Sequence, residues 1–166
     1  GADLPDLMDN ITRYVEQGYK AVRVQCGIPG MATAGYAVPE EKGGKGDYMT
    51  DFSGIIPKTE IWDTDQYMRY MPQALADIRA KFGPELKILH DVHHRLRPRE
   101  AAAFAKAVEP VDLYWLEDPT PAEDQDALRL IRQHSTTPIA IGEVFNSVWD
   151  CNKLIENELI DFIRIA

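Results

Sequence analysis

Five short apolar segments alternate with amphipathic helical segments along this 166-residue chain, and this alternation limits the possible folds more than any other feature. The apolar segments are rich in β-branched or aromatic residues and are bounded by Gly, Pro or Asp, as is typical of strands buried on both faces. They cover residues 19–25, 86–92, 112–118, 138–144 and 161–166. The alternation predicts an α/β protein whose parallel strands are joined by right-handed helical crossovers.

The helical segments carry start and stop signals. They cover residues 4–18, 63–83, 97–110, 120–135 and 148–160. Asp63 or Thr64 can cap the second helix, in which Pro72 predicts a kink or a later start. Pro98 suits the first turn of the third helix. Thr120 and Glu123 have the spacing of a capping box, so we expect the fourth helix to begin there.

Two architectures accommodate this order: an open doubly wound sheet and a (β/α)₈ barrel. A dinucleotide-binding fold loses support because no strand is followed by the motif GxGxxG. A complete barrel has roughly 250 residues, so five strands would form a barrel segment. The chain starts within a helix and stops within an apolar run, and we therefore expect a piece of a longer protein.

Residues 27–63 interrupt the alternation with a long stretch rich in Gly and Pro. Loops of this length in compact domains usually form lids or binding loops. In a barrel, a loop that follows a strand lies on the catalytic face, so we expect a long active-site loop here.

Composition excludes some classes of partner. The formal net charge is −9, which argues against a nucleic-acid surface or an anionic membrane as the main partner. No apolar run is long enough to cross a bilayer. The two cysteines, Cys26 and Cys151, form no CxxC motif, which favours free thiols in a reducing compartment and a cytoplasmic location.

Three acidic residues recur at one interval near the ends of predicted strands. Asp91, Glu117 and Glu143 are separated by 26 residues each. One strand–helix unit of this length returns the chain to the same level of a barrel, so the three carboxylates should converge. Clustered carboxylates repel one another unless a cation compensates them, and oxygen ligands with room for water favour Mg²⁺. Each acid alone could equally be a solvated strand end or a helix cap.

Several stretches of the chain resemble the mannonate dehydratase group of the enolase superfamily. They are "GYKAVRVQ", "LHDVHHRLRP", "WLEDPTPAE", "LIRQHSTTPIAIGEVFNSVWD" and "LIDFIRIA". The resemblance implies strands two to six of the barrel, without the N-terminal capping domain and the remaining strands. It also implies one Mg²⁺ held by Asp91, Glu117 and Glu143, and a homo-oligomeric protein.

The implied reaction is the dehydration of a sugar acid, D-mannonate or D-gluconate, to 2-keto-3-deoxy-D-gluconate. A proton next to the carboxylate is removed, and Mg²⁺ stabilises the resulting enediolate. The 3-hydroxyl then leaves as water with help from a general acid. Enzymes of this kind are hydro-lyases.

His93 is the predicted general acid. It lies two residues after Asp91, and on an extended strand the two side chains would face the same cavity. The same alternation would turn His90 and His94 away from that cavity, which argues against a zinc cluster built from these histidines. The resemblance assigns the acid role to the histidine of this Asp-x-His motif.

The resemblance also assigns the base and the substrate contacts. Arg23 and Gln25 occupy positions where many superfamily members have a lysine pair. The related dehydratases instead pair an arginine with a loop tyrosine, matched here by Tyr36, with Tyr48 as the second candidate. A neighbouring guanidinium lowers the pKa of a phenol.

Arg164, inside an apolar strand, would be costly to bury unpaired. We expect it to contact either the carboxylates or the substrate, and Glu143 also lies on the substrate side. Two alternatives remain open: a related racemase or cycloisomerase, which the missing lysine pair disfavours, and a metal-binding homologue that serves a regulatory or sensing role without appreciable turnover.

Overall fold

The five predicted strands pair side by side in the order of the chain. The computed structural model describes residues 1–29 and 62–165, and in these ranges every strand pair is parallel. The strands are β1 (Ala21–Val24), β2 (Lys87–Asp91), β3 (Trp115–Glu117), β4 (Ile139–Ile141) and β5 (Phe162–Ile163). A doubly wound sheet reverses its strand order at a switch point. The sheet has no such reversal among the described strands, as expected for a barrel segment.

The described ranges contain five α-helices and one short 3₁₀-helix, of which the first precedes β1 and the others connect the strands. They are α1 (Leu4–Glu16), α2 (Thr64–Phe82), α3 (Pro98–Ala107), the 3₁₀-helix (Glu109–Val111), α4 (Ala127–His134) and α5 (Trp149–Glu156). The Asp63 side chain caps α2 by accepting a hydrogen bond from the Gln66 N–H at 2.9 Å. Pro98 is the first residue of α3, as predicted. Pro72 lies inside α2 without delaying its start.

The predicted start of α4 at Thr120 is wrong. Residues 122–123 and 125–126 form turns, and the helix begins at Ala127. Thr120 is buried, its hydroxyl has no hydrogen-bond partner, and its carbonyl oxygen lies 3.3 Å from Nδ1 of His94. Tertiary packing thus holds the residue that the local pattern marks as a cap.

The core lies between the helices and the sheet. Each helix contributes at least one side chain that is almost completely buried, and the strands present fully buried aliphatic side chains to them. The main ones are Ile11, Leu75, Phe104, Ile131 and Leu154 from the helices and Val24, Ile88, Leu116 and Ile141 from the strands. Burying one such side chain stabilises the fold by about 1.5–3 kcal/mol. This packing fixes the strand ends from which polar side chains project.

His90 anchors the carboxyl end of β2 to its neighbours. Its Nδ1 lies 2.9 Å from the carbonyl oxygen of Val24 and its Nε2 lies 2.7 Å from the hydroxyl of Tyr67, on α2. Burial lowers the pKa of His90 to about 4, so the ring is neutral: Nδ1–H donates to Val24, and Nε2 accepts from Tyr67. As predicted, His90 points away from the carboxylates. Within the described residues, no helix is long and apolar enough to span a membrane.

Candidate metal centre and active site

Two buried carboxylates form the middle of the candidate site. Asp91 and Glu117 are the last residues of β2 and β3, and they are register partners across the sheet. Their side chains are 0% and 1% exposed. Burial, reinforced by the neighbouring charge of Glu117, raises the pKa of Asp91. The equal sequence spacing therefore brings these two acids together as predicted.

Two arginines from the outer strands of the sheet converge on Glu117. Nη1 of Arg23, on β1, lies 3.1 Å from Oε1 of Glu117 and 3.3 Å from Oδ2 of Asp91. Nε of Arg164, just after β5, lies 3.1 Å from the same Glu117 oxygen. Nη1 of Arg164 lies 3.6 Å from Oε2 of Glu143. The guanidinium charges thus compensate the carboxylates while both arginines remain partly exposed.

Glu117 has a further partner, Trp115, that the sequence analysis did not identify. Nε1 of Trp115 donates a hydrogen bond to Oε2 of Glu117 at 3.0 Å. The two residues lie two positions apart on one strand, so their side chains share a face. This i, i+2 spacing could have predicted the contact from the sequence. Gln25 holds the neighbouring backbone, because its Nε2 donates a hydrogen bond to the carbonyl oxygen of Asp91 at 3.2 Å.

His93 and His94 both turn toward Glu143. Nε2 of His93 and Nε2 of His94 lie 3.4 Å and 3.3 Å from Oε1 of Glu143. The prediction that His94 faces away is wrong because β2 ends at Asp91 and the alternation ends with it. Both histidines have positive φ angles, 59° and 61°. The His93 N–H also donates to Oδ1 of Asp91 at 2.7 Å, which fixes the turn.

Asp118, which directly follows Glu117, also belongs to the site, although the sequence analysis did not identify it. Its side chain is completely buried, and Oδ2 lies 3.6 Å from Nε2 of His94. Burial raises the pKa of Asp118 to about 7; the negative charges of Glu143, Asp91 and Glu117 act in the same direction, and His94 opposes them. The sequence could have indicated this role, because Asp118 is an acid inside an apolar segment, where an unpaired charge is costly.

Among the residues that the structure describes, carboxylates and one histidine form two compact groups that could each hold a cation. Asp91, Glu117 and Asp118 form one group, and His94, Asp118 and Glu143 form the other. Within each group the potential ligand atoms lie within 4.8 Å of one another. The three predicted magnesium ligands are thus divided between the groups.

The first group fits Mg²⁺ by its chemistry. Its donors are all oxygen atoms, which hard cations prefer. Oδ2 of Asp91 is buried and accepts no hydrogen bond, and a cation could replace its ion-pair contact with Nη1 of Arg23 at 3.3 Å. Arg164 bridges Glu117 to Glu143, which keeps the third predicted ligand next to this group. That Glu143 binds the same ion remains a prediction.

The predicted base lies outside the described residues. Tyr36 and Tyr48 both fall within residues 30–61, as does most of the predicted active-site loop of residues 27–63. Arg23, the predicted partner of the tyrosine, lies at the edge of the carboxylate cluster. The pairing of Arg23 with a tyrosine therefore stays a prediction.

The sheet order and the acids at strand ends define a segment of an α/β-barrel domain of the kind that binds metal ions at its carboxyl face. Residues 6–166 match the family described as "Enolase C-terminal domain-like", and the chain belongs to that family. This confirms the resemblance found in the sequence.

The relatives carry dehydratase names. The chain is 80% identical over 166 residues to a D-galactonate dehydratase family member of Oceanicola granulosus, covering 100% of this chain and 41% of that protein. It is 46% identical over 164 residues to the D-mannonate dehydratase of Rhizorhabdus wittichii, covering 99% of this chain and 40% of that protein. The chain thus spans about two fifths of the length of these relatives.

A solved structure supports the same fold. An enolase from Pantoea ananatis, crystallised with D-gluconate and magnesium, superposes with a TM-score of 0.77 at 34% identity. The match covers 99% of this chain and 40% of that one. The prediction of a partial barrel of the enolase type is confirmed.

Proposed function

We propose that this chain supplies the metal-binding part of an Mg²⁺-dependent sugar-acid dehydratase, a hydro-lyase that forms a 2-keto-3-deoxy acid. The observation that carries the proposal is the pair of buried carboxylates, Asp91 and Glu117, with guanidinium groups on both sides and His93 at the rim. D-mannonate is the first substrate to test and D-gluconate the second. The dehydratase names of the relatives support this class of reaction.

The carboxylates would hold the cation. Asp91 and Glu117 bind Mg²⁺ in this proposal, with Glu143 as the third ligand. When bound, the ion supplies positive charge beside the substrate carboxylate, where negative charge develops as the neighbouring carbon loses its proton. Trp115 and Arg164 orient Glu117 through the contacts described above.

His93 is placed to move a proton at the rim of the site. Its side chain is 38% exposed, while its backbone N–H is fixed by Asp91. Oε1 of Glu143, 3.4 Å from Nε2, can hold the protonated ring in one orientation. His93 would then donate this proton to the departing 3-hydroxyl.

The arginines would organise the other end of the substrate. In this proposal Tyr36 takes up the proton, and pairing with the guanidinium of Arg23 would favour the phenolate that this requires. Arg164 is 31% exposed and can contact a substrate carboxylate or hydroxyl while it pairs with Glu117. A lysine-based racemase is disfavoured because Arg23 and Gln25 stand at the lysine positions.

The test uses the full-length protein. We would incubate it with Mg²⁺ and a panel of sugar acids and measure 2-keto-3-deoxy product, with and without EDTA. Glu117→Gln should lose Mg²⁺ binding and turnover together, whereas His93→Asn should keep Mg²⁺ and lose turnover. His134→Asn, on the exposed side of α4, is the matched control and should keep both.

Each contrary result has a distinct meaning. Product from a different acid alone would keep the chemistry and change the substrate. Mg²⁺ binding without turnover of any acid would refute the dehydratase proposal in favour of a regulatory metal-binding homologue. Undiminished Mg²⁺ affinity in Glu117→Gln would refute the metal assignment. Light scattering would test the expected homo-oligomer, and cell fractionation the cytoplasmic location.

A further inference from the structure

Asp118 is a buried carboxyl group to which the proposed function assigns no role. Its residue is 0% exposed, and neither carboxylate oxygen has a hydrogen-bond partner. A buried carboxylate without hydrogen bonds is costly, and such groups usually pair with a cation or bind a metal. Oδ2 points toward the ring of His94 at 3.6 Å, a distance too long for a charge-assisted hydrogen bond of about 2.7–2.9 Å.

His94 is oriented as a metal-binding histidine is. Nδ1 lies 3.3 Å from the carbonyl oxygen of Thr120, a buried residue, so Nδ1–H can donate to it. Metal-bound histidines commonly donate one ring N–H to a backbone carbonyl, which directs the lone pair of the other nitrogen toward the ion. The other nitrogen, Nε2, is buried and has no hydrogen-bond partner.

The distances between these atoms suit a shared ion. Two ligand atoms about 2.1 Å from one ion stand about 3.0 Å apart in octahedral geometry and about 3.4 Å apart in tetrahedral geometry. Nε2 of His94 lies 3.3 Å from Oε1 of Glu143 and 3.6 Å from Oδ2 of Asp118. With Nδ1 directed at Thr120, Nε2 of His94 faces two carboxylates, an arrangement that a cation between them would stabilise.

We propose that His94, Asp118 and Glu143 form a second divalent-cation site, beside the all-oxygen group of Asp91, Glu117 and Asp118. One imidazole with two carboxylates favours a first-row transition ion such as Mn²⁺ or Zn²⁺ over Mg²⁺. Asp118 belongs to both groups, so the two ions would lie next to each other. The inference does not depend on the sugar-acid reaction.

The test counts bound Mn²⁺ in the full-length protein. Metal-free protein is titrated with Mn²⁺, bound metal is quantified by mass spectrometry, and electron spin-echo spectroscopy detects nitrogen-14 coupling to the bound ion. We expect two ions per chain and a nitrogen coupling in the parent protein. His94→Leu removes the only nitrogen donor of the proposed set and should bind one ion, without the nitrogen coupling.

Two further variants make the result decisive. Asp118→Asn should also bind one ion, and if it fails to fold, His94→Leu alone decides. His134→Leu removes an exposed histidine on α4 and should retain two ions. One ion per chain in the parent, or two ions in His94→Leu, would overturn the proposal. Glu117→Gln changes only the magnesium site, so it should still bind one ion with the nitrogen coupling, and the two proposals fail separately.

Discussion

Replacing Tyr67 by Phe isolates one hydrogen bond that supports the catalytic end of β2. The change removes only the hydroxyl, which lies 2.7 Å from Nε2 of His90. Tyr67 is 4% exposed and His90 is 1% exposed, so water cannot replace the lost donor. Nδ1–H of His90 still donates to Val24, which keeps the ring in place and its other nitrogen unpaired.

The size of the effect follows from this burial. Leaving a buried acceptor without a donor costs about 1–3 kcal/mol, and we expect the free energy of unfolding of Tyr67→Phe to fall by that amount. In a His90→Leu background the Tyr67 hydroxyl already lacks its acceptor, so the same change should cost nothing or stabilise the protein. The two backgrounds should therefore differ by at least about 1 kcal/mol.

The coupling is measured by urea unfolding of four full-length proteins: the parent, Tyr67→Phe, His90→Leu and the double variant. Circular dichroism follows the transition, whose slope must be unchanged between the four. Tyr70→Phe is the matched control on the same helix. Tyr70 is half-buried, and its replacement should stay within about 0.5 kcal/mol of the parent. Equal losses for Tyr67→Phe in both backgrounds would show that the hydroxyl and the imidazole do not interact, and the neutral, anchored His90 would have to be abandoned.

Two other substitutions test the scaffold. The pKa of Glu109 is lowered to about 2, mainly by the hydrogen bond from Lys106 and then by the backbone N–H of Thr136. Its ionised form therefore stabilises the fold above its ordinary pKa of 4.5, and this stabilisation is lost as the pH falls toward 2. In denaturation experiments, the difference in the free energy of unfolding between the parent and Glu109→Gln should shrink over that range. Gly142 has φ +142°, and a Cβ there would lie 2.8 Å from the carbonyl oxygen of Arg164. Gly142→Ala should therefore lower the free energy of unfolding by about 1–3 kcal/mol. It should also weaken Mg²⁺ binding, which calorimetry measures. An unchanged affinity in a folded Gly142→Ala protein would contradict the view that this close approach positions Arg164.

The strand order and the central acids were predictable because they depend on periodic features. Buried parallel strands read as continuous apolar runs, and equal unit lengths place Asp91 and Glu117 side by side. Arg164 was also identified, since a charged residue inside an apolar strand needs a partner, whereas Arg23 was identified from the family resemblance. The resemblance to a known family then supplied roles that spacing alone does not define.

The turns after the strands were not predictable by the same reasoning. Alternation assumes an extended backbone, whereas His93, His94 and Asp118 have positive φ angles and turn their side chains inward. Local capping rules likewise misplaced the start of α4, because Thr120 is held by tertiary contacts. The errors therefore lie in residues 92–94 and 118–126, where long-range packing determines the backbone.

The position of Glu117 also has a consequence for how the protein folds. Its ion pair with Arg23 joins residues 94 positions apart in sequence, and Arg164 approaches the same oxygen from the other outer strand. Contacts of such long range carry a large loop-closure entropy and generally form after local ones. Individual strand–helix units can therefore gain secondary structure before the carboxylate centre exists. Cation binding would then report the last step of assembly, so a kinetic trace of metal uptake should lag behind the recovery of helical signal during refolding.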